Sequence, residues 1–449
     1  MKRLKKFYSI LVRNNKKMII NSSGSTPNAK KEKIRSGQSY LYQKNGMESE
    51  VFEVTFYKNI NGGMLNQALS VTLKRYPYIN TKVVELDGDF YIVQNEIALT
   101  AKKTKVLPQL GHINWGYHLV DITYFDRTIY ISWHHALCDG KGIKPFVETL
   151  IYYYCQLKYR SKASAKEIRL AEEPLLLGET TEPNLGSYSY DENKEFINIS
   201  RDAYAISENV IEEHETDYRY DLQVSASSFM KICKENHATP VILTSLLVSK
   251  GITELYPDFD KPINANIAVD IREALDLPNT FKNCVRSMPL PFDRTFLSMT
   301  LKEQAEKQRM ILNNHRDKDN LRRIANLSLG MYDKLDSLPD YKSKQGMMDF
   351  FNGMLINTYF ISYLGQLIVN ENAKYIDTVG FYNSGAAGLG VNILACGDKF
   401  CFNFKQSFES DKYVKAFCNE LSKLGIEYKV SEVIPFLTPK DSLIKRKEK

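Results

Sequence analysis

Two adjacent histidines, an aspartate and a glycine lie within seven residues of each other in the segment "SWHHALCDGKG", positions 132–142. Histidine suits general base catalysis at neutral pH, because its unperturbed pKa is about 6.5. Asp139, four residues after His135, can brace the loop through backbone donors or an arginine without reaching a substrate. Gly140 allows a backbone conformation that a side chain would forbid. The segment therefore predicts a catalytic imidazole held at the edge of a loop.

The histidine pair is predicted to lie between a strand and a helix. Residues 117–134 contain two strand-like runs, "YHLVDITYF" and "TIYISWH", and the following "IKPFVETLIYYYCQLKY" has helical periodicity. A strand, a short loop and a helix are suited to holding an imidazole in one orientation. This setting makes the match more specific than a histidine–aspartate spacing alone.

The remaining elements predict two α/β lobes of similar build. Strands and helices alternate in both halves, with Ser225 and Thr239-Pro240 as helix starts and a hairpin turning at Gly397-Asp398. The polar residues 160–216 show little periodicity and are interpreted as a connection between lobes. A chain of 449 residues is long enough for two such lobes.

The net charge of +7 comes from the beginning of the chain. Residues 1–36 contain eleven lysines and arginines and one glutamate, so they carry +10 and the other residues carry −3. The body of the chain is therefore not a nucleic-acid-binding surface by charge. We expect residues 1–40 to form a basic, partly disordered arm, and peripheral contact of this arm with an anionic membrane or an acidic partner remains an alternative.

Cysteine usage and hydropathy indicate a cytoplasmic protein. The seven cysteines are scattered without a CxxC pair, so reduced thiols are expected and no ligand spacing predicts a metal site. No run of eighteen apolar residues predicts a spanning helix, and no small-residue cleavage site follows the basic start.

The segment "HHALCDG" resembles the HHxxxDG motif of the condensation-domain and chloramphenicol-acetyltransferase-like superfamily, and it is closest to the bacterial alcohol acetyltransferase-type branch. The similarity extends from about residue 50 to residue 430. It includes "LNQALSVTLKRYPYINTKVV", "ANIAVDIREALDLPNTFKNCVRSMPLPF", "FISYLGQL" and "GVNILACGDKFCFNFKQSF". The DFGWG segment of the plant acyltransferase branch is absent, which argues against that branch.

This resemblance implies an α/β (α+β) fold of two chloramphenicol-acetyltransferase-like lobes. Each lobe would be a mixed sheet with packed helices, and an active-site tunnel would lie between them. The arm 1–40 would precede an N-terminal lobe at 41–185 that contains the motif, an inter-lobe linker at 186–216 and a C-terminal lobe at 217–449. Because both lobes belong to one chain, we expect a monomer.

The resemblance also assigns roles to individual residues. The second histidine of the family's motif is the base, which maps to His135, and His134 would pack and orient the loop. Asp139 and Gly140 map to the structural part of the motif. Arg272, in "VDIR", is the expected partner of Asp139.

Three further residues are candidates for contact with the substrate or the oxyanion. Asn283 lies in a segment in which the family repeats an asparagine. Tyr363 stands where the family usually has the asparagine of SNLG, so Ser362 or Tyr363 is the candidate oxyanion donor.

The implied activity is transfer of an acyl group from a thioester, with acyl-CoA as the favoured co-substrate, to an alcohol or amine. No permanently bound cofactor and no covalent enzyme intermediate are implied. Two alternatives remain open: a condensation-type enzyme that uses a carrier-protein-bound acyl-pantetheinyl donor, and a non-catalytic ligand-binding member of the same fold.

Structural alternatives exist for single residues as well. His135 could be a satisfied core histidine, although the motif favours the base. Cys138 could be a nucleophile relayed by histidine, but a small packed thiol is favoured. Asn283 could equally be a turn residue.

Overall fold

The computed structural model describes residues 31–437, except 44–46, 87, 185, 187, 198, 200–201, 207–215, 355–356 and 387. Of the predicted basic arm, residues 1–30 lie outside the described residues. Within the described ranges, no helix is both long and apolar enough to cross a bilayer.

The described residues form eight α-helices and sixteen strands. The helices are α1 (Gly62–Arg75), α2 (Gly140–Tyr159), α3 (Ala226–Glu235), α4 (Pro240–Leu255), α5 (Leu301–His315), α6 (Lys318–Ser337), α7 (Tyr341–Met354) and α8 (Lys412–Lys423). The strands are β1 (Glu32–Lys33), β2 (Ser49–Phe56), β3 (Thr81–Leu86), β4 (Asp89–Gln94), β5 (Lys102–Lys103), β6 (Val120–Phe125), β7 (Thr128–His134), β8 (Thr216–Ser225), β9 (Ile263–Asp270), β10 (Val285–Phe292), β11 (Tyr359–Gln366), β12 (Ile376–Asn383), β13 (Leu389–Cys396), β14 (Lys399–Gln406), β15 (Tyr428–Val430) and β16 (Ile434–Leu437).

The strands form three sheets that divide between two lobes. The first lobe contains a five-stranded sheet of order β12-β2-β7-β6-β5 and a three-stranded sheet of order β1-β4-β3, with α1 packed on α2. The second lobe contains an eight-stranded sheet of order β10-β9-β11-β13-β14-β8-β15, with β16 also paired to β8. Helix α4 packs between this sheet and α8. Both larger sheets are mixed, because β5 and β6 are parallel in one and β11 is parallel to β9 and β13 in the other.

Strand β12 links the lobes, because it follows the second-lobe strand β11 in sequence but pairs with β2 of the first lobe. The pairing is antiparallel and places Phe381 opposite Phe52. Buried polar contacts connect this edge to the second-lobe sheet: Arg219 donates to Glu53 (2.9 Å), and the Phe381 amide donates to the Asn403 side-chain oxygen (2.9 Å). The two lobes therefore share one strand and a polar seam.

A buried ion pair attaches the polar segment after α2 to the first lobe. The two terminal nitrogens of Arg75, on α1, donate to the two carboxylate oxygens of Glu179 at 2.8 and 2.7 Å. Tyr78 and the Leu176 amide also donate to this carboxylate, at 2.6 and 2.8 Å. The side chains of Arg75 and Glu179 are 0% and 1% exposed, so water could not solvate either charge if the other were removed.

Replacement of Arg75 by alanine should destabilise the protein strongly, because it leaves the buried Glu179 charge with only the more distant and partly exposed Arg169 (3.7 Å) as a counter-charge. We expect a loss of about 3–5 kcal/mol in the free energy of unfolding measured with urea. The control is Arg127→Ala, which removes the partly exposed pair with Asp377 (3.2 Å) and should cost about 0–1 kcal/mol. Equal losses in the two variants would contradict this account.

Candidate active site

His135 directly follows β7, in the turn that leads into α2. Its backbone N–H donates to the Glu48 carbonyl (2.7 Å), just beyond the last paired residues of β7 and β2. The residue is 5% exposed. Burial lowers the pKa of His135 to about 4, although the Asp139 charge acts in the opposite direction. The imidazole is therefore neutral at neutral pH, as a general base must be.

The side chain of Asn283 reaches the imidazole from the other lobe. Its Nδ2 atom donates to the His135 carbonyl (3.0 Å) and lies 2.6 Å from the ring Nδ1. The orientation of this amide sets the ring tautomer. With the amide nitrogen toward the ring, the ring proton lies on Nε2; with the amide oxygen toward the ring, the proton lies on Nδ1 and Nε2 is free to accept. Asn283 thus controls which ring nitrogen is basic.

Asp139 is the N-cap of α2, and it receives hydrogen bonds from both lobes. The Gly142 amide (2.8 Å) and Arg272 Nη2 (2.6 Å) donate to Oδ1, and the Cys284 amide donates to Oδ2 (2.7 Å). Arg272 and Cys284 belong to the loop at residues 271–284 between β9 and β10, which we call the β9–β10 loop. The carboxylate therefore joins this loop to the start of α2.

Each of the three guanidinium nitrogens of Arg272 has an acceptor. Besides Asp139, the guanidinium donates to the Thr280 carbonyl (2.8 Å), the Lys282 carbonyl (2.7 Å) and the Asp270 side chain (2.8 Å). Burial, the largest single effect, acts to lower the pKa of Arg272, but the charges of Asp139 and Asp270 and the hydrogen bond to Asp139 act together in the opposite direction and the pKa is raised. Both charges are therefore retained, each compensated by the other in a site of low dielectric.

Two glycines allow separate chain segments to meet beside the imidazole. A Cβ atom at Gly142 would lie 1.9 Å from the Phe281 carbonyl oxygen, and one at Gly37 would lie 2.4 Å from the Ala136 carbonyl oxygen. Neither glycine has a positive φ angle. Gly140 also lacks a positive φ, and a Cβ there would lie 2.8 Å from the side chain of Leu364. These glycines provide space for close packing rather than an unusual backbone conformation.

His134 and Cys138 pack around the turn. The Nδ1 atom of His134 accepts from the Ala136 amide (2.9 Å), and burial lowers the pKa of His134 to about 3. Its ring is thus a neutral acceptor that shapes the turn. Burial raises the pKa of the Cys138 thiol well above its ordinary value, so this cysteine is a protonated thiol and not the thiolate that nucleophilic attack requires.

Tyr40, which was not predicted as a site residue from the sequence, covers one face of the His135 ring. The two rings stack with centroids 3.8 Å apart and planes 4° apart. Tyr40 belongs to residues 32–43, which we call the N-terminal strap. The strap pairs with β4 of the first lobe, and it receives hydrogen bonds from Tyr332 of α6 and Tyr341 of α7 (2.9 and 3.1 Å). The strap therefore crosses from the first lobe to these helices directly over the imidazole.

Glu50 is the second residue that the sequence did not reveal. Its Oε2 atom lies 3.6 Å from His135 Nε2. Burial, followed by the charge of Asp139, raises the pKa of Glu50 well above its ordinary value. Because both pKa shifts favour the neutral forms, the two groups form a neutral pair and not an ion pair. A signal was present: Glu50 continues the row of fully buried β2 residues Phe52 and Val54, where an acidic side chain is out of place.

Ser362 and Tyr363 lie on β11 of the second lobe. Ser362 is buried, whereas Tyr363 packs on Phe400 (ring centroids 5.6 Å apart) and lines a cavity of about 440 Å³ together with Lys141. Burial raises the pKa of Tyr363. Among the described residues, no hydrogen bond or ring contact joins Ser362 or Tyr363 to His135. The structure thus brings His135, Asn283, Asp139 and Arg272 into one connected cluster, and it shows no direct contact of the β11 pair with His135.

Comparison with solved structures identifies the architecture. The chain is similar to polyketide synthase associated protein 5 from Mycobacterium tuberculosis, with a TM-score of 0.58, 12% identity, and 88% of this chain and 98% of that chain covered. It is similar to the first condensation domain of the CDA synthetase, with a TM-score of 0.56, 9% identity, and 89% of this chain and 96% of that chain covered. It is also similar to F. sporotrichioides TRI101 complexed with coenzyme A and T-2, with a TM-score of 0.54, 11% identity, and 89% of this chain and 99% of that chain covered. No family model matches the sequence, and no curated protein matches it. The predicted two-lobed chloramphenicol-acetyltransferase-like fold is confirmed.

The stacked tyrosine should help to hold the imidazole in its uncharged form by keeping water from one face of the ring. We expect Tyr40→Ala to raise the pKa of His135 from about 4 toward the ordinary value of about 6.5. Tyr40→Phe keeps the stacked ring and should leave the pKa unchanged. Nuclear magnetic resonance titration of histidine-labelled protein measures both, and a pKa near 4 in the alanine variant would contradict this role.

Acid should destabilise the protein through the histidine pair. The pKa values of His134 and His135 in the folded state, about 3 and about 4, lie below the unfolded value of about 6.5, so the unfolded state binds more protons between these values. This stabilisation is present above about pH 6.5 and is lost as the pH falls toward about 4 for His135 and toward about 3 for His134. Glu50 acts in the opposite sense, because its pKa is raised.

We therefore expect the free energy of unfolding to fall less steeply with decreasing pH in His134→Asn than in the unmodified protein. The slope against pH is the readout, because the substitution also changes the absolute stability. Urea denaturation at a series of pH values gives this slope. Identical slopes in the two proteins would show that His134 is not buried in its neutral form.

Proposed function

We propose that this protein transfers an acyl group from a thioester donor, in the first instance acyl-CoA, to the hydroxyl or amino group of an acceptor. The observation that carries the proposal is the neutral imidazole of His135, which lies where the two lobes meet and is contacted by Asn283 of the second lobe. The fold supports the proposal, because TRI101, with the same architecture, was crystallised with coenzyme A and T-2. The match of "HHALCDG" to the family's motif is a second, independent support.

In the proposed reaction His135 acts first as a base and then as an acid. This role requires the orientation in which the Asn283 amide oxygen faces the ring, so that Nδ1 carries the ring proton and Nε2 is free. The Nε2 atom then takes the proton of the acceptor hydroxyl or amine while that oxygen or nitrogen attacks the thioester carbonyl carbon. The tetrahedral intermediate collapses, the carbon–sulfur bond breaks, and the imidazolium returns its proton to the leaving thiolate. No bond to the protein forms, so positioning two bound reactants supplies a large part of the rate enhancement.

The other predicted site residues are proposed to position this imidazole and to stabilise the intermediate. Asp139 and Arg272 hold the β9–β10 loop, which carries Asn283 to the ring. Ser362 or Tyr363 is the proposed donor to the oxyanion. Strand β11 approaches the motif through Leu364, next to Gly140, which supports this assignment.

A carrier-bound donor is the second candidate. It is supported by the similarity of the fold to the first condensation domain of the CDA synthetase. The same imidazole and the same acceptor chemistry serve both candidates, because acyl-CoA and an acyl-pantetheinyl carrier present the same thioester. The two donors differ in the group that carries the pantetheinyl arm, which is a nucleotide in acyl-CoA and a protein in the carrier. A comparison of turnover with the two kinds of donor therefore decides between the candidates.

His135→Ala should abolish acyl transfer while leaving the fold intact. We expect a loss of about 100-fold or more in kcat, because general base catalysis typically contributes on that order, with little change in melting temperature. The control is His237→Ala, which replaces an exposed histidine paired with Glu306 and should retain activity. Release of free thiol from a series of acyl-CoA donors, with pooled alcohols and amines, measures turnover, and mass spectrometry identifies the product.

Near-normal turnover by His135→Ala would refute the proposed role of the imidazole. Activity with an acyl-pantetheinyl carrier but with no acyl-CoA would select the carrier-bound donor. Binding of thioesters without any turnover by the unmodified protein would instead identify a non-catalytic member of this fold.

A further inference from the structure

Glu50 is a buried carboxyl group beside the catalytic imidazole with no cation next to it. Its Oε2 atom is buried and has no hydrogen-bond partner among the described residues. The basic group that lies close to it is the His135 ring, whose Nε2 atom is 3.6 Å away. In the described part of the chain, no lysine or arginine forms an ion pair with Glu50. Leaving a buried polar atom unsatisfied is costly, so this atom requires an explanation.

None of the groups that interact directly with Glu50 is positively charged, although Arg286 lies near Tyr40, and Arg272 and Lys282 lie near Cys138. The electrostatic interactions of this carboxyl group involve Asp139, Tyr40 and Cys138, and each of these is either neutral or negative. His135 is neutral as well. An ionised Glu50 would therefore be uncompensated in the free protein, and the protonated acid is favoured. A bound cation would reverse this balance.

Several other buried carboxylates among the described residues have a cation supplied by the protein. Such pairs, each with both side chains largely or fully buried, are Arg75–Glu179, Arg272–Asp139 and Arg219–Glu53. Glu50 has the same burial but lacks the cation, and it lies next to the nitrogen that is proposed to take a proton from the acceptor. The missing cation is therefore supplied most simply by the acceptor itself.

We infer that Glu50 selects a primary amine, bound as its ammonium form, as the acceptor in preference to an alcohol. This inference rests on the proposed acyl transfer at His135. An alcohol would bind next to a protonated carboxyl group and gain only a hydrogen bond between neutral groups. An ammonium group gains a charged hydrogen bond in a water-poor site, and this interaction is considerably stronger.

The proton balance of an amine acceptor also requires a second basic group. An alkylammonium ion cannot attack a carbonyl carbon until it has lost one proton. The carboxylate of Glu50 takes this proton and becomes the neutral acid, and the free amine then attacks the thioester. His135 takes the second proton from the nitrogen and passes it to the leaving thiolate. Glu50 is then again the neutral acid of the free protein, because it released its own proton to solvent when the ammonium group bound. The products are an amide, a thiol and one released proton.

Matched acceptor pairs test the inference by kinetics. We compare 2-phenylethylamine with 2-phenylethanol, and hexylamine with hexanol, using acetyl-CoA, hexanoyl-CoA and dodecanoyl-CoA as donors. The unmodified protein should acylate the amines with a kcat/KM at least about tenfold above the alcohols. Glu50→Gln, which keeps the size of the side chain, should lose that preference, whereas Glu96→Gln, on an exposed surface, should keep it.

Binding measured without a donor separates this inference from the proposed function. Calorimetry in buffers of different ionisation enthalpy should show release of about one proton per amine bound, because the ammonium group converts Glu50 to its carboxylate. Alcohols should release none, and neither should amines added to Glu50→Gln. Absence of Glu50-dependent proton release, or a preference for alcohols that survives the substitution, overturns the inference and leaves acyl transfer standing. Glu50-dependent release without consumption of any thioester supports the amine site and counts against acyl transfer.

Discussion

The ion pair between Asp139 and Arg272 is the contact on which the rest of the site depends. Asp139 caps α2 in the first lobe, and Arg272 belongs to the β9–β10 loop of the second lobe, so this pair fixes one lobe against the other. Neither charge is exposed, and either one alone would carry a large desolvation penalty. Because the pair holds the loop in place, Asn283 reaches the ring of His135 and the Phe281 backbone passes against Gly142.

Exclusion of water then gives each titratable group beside the imidazole its protonation state. The same burial lowers the pKa of His135 and raises the pKa values of Glu50 and Cys138, so all three groups are neutral in the free protein. The N-terminal strap contributes to this environment by laying Tyr40 on the ring. A neutral imidazole next to a neutral acid can exchange protons with a bound acceptor without first separating charges in a site of low dielectric.

The parts of this arrangement that could be predicted from the sequence are those encoded in short segments. The motif at 134–140 and its strand–turn–helix setting are local, and its resemblance to a known family supplied Arg272 as the partner of Asp139. Other features depend on packing between distant segments. Tyr40 lies about a hundred residues before His135 in a segment that resembled a polar arm, and β12 follows second-lobe strands but joins the first-lobe sheet. Glu50 was recognisable as an acidic residue in an apolar row of β2, but its position beside His135, which follows the adjacent strand β7, depends on the pairing of these strands.

The central claim is that His135 acts as a base in its neutral form with a strongly lowered pKa. The most direct test compares two titrations of the same protein: the nuclear magnetic resonance titration of the His135 ring, and the acidic limb of kcat/KM for acyl transfer, which reports essential groups of the free protein. We predict that both give a pKa near 4 when the acceptor is an alcohol, whose binding does not require ionisation of Glu50. A ring that titrates near 4 while activity is lost near the ordinary histidine value of about 6.5 would contradict the claim, because another group would then control the reaction.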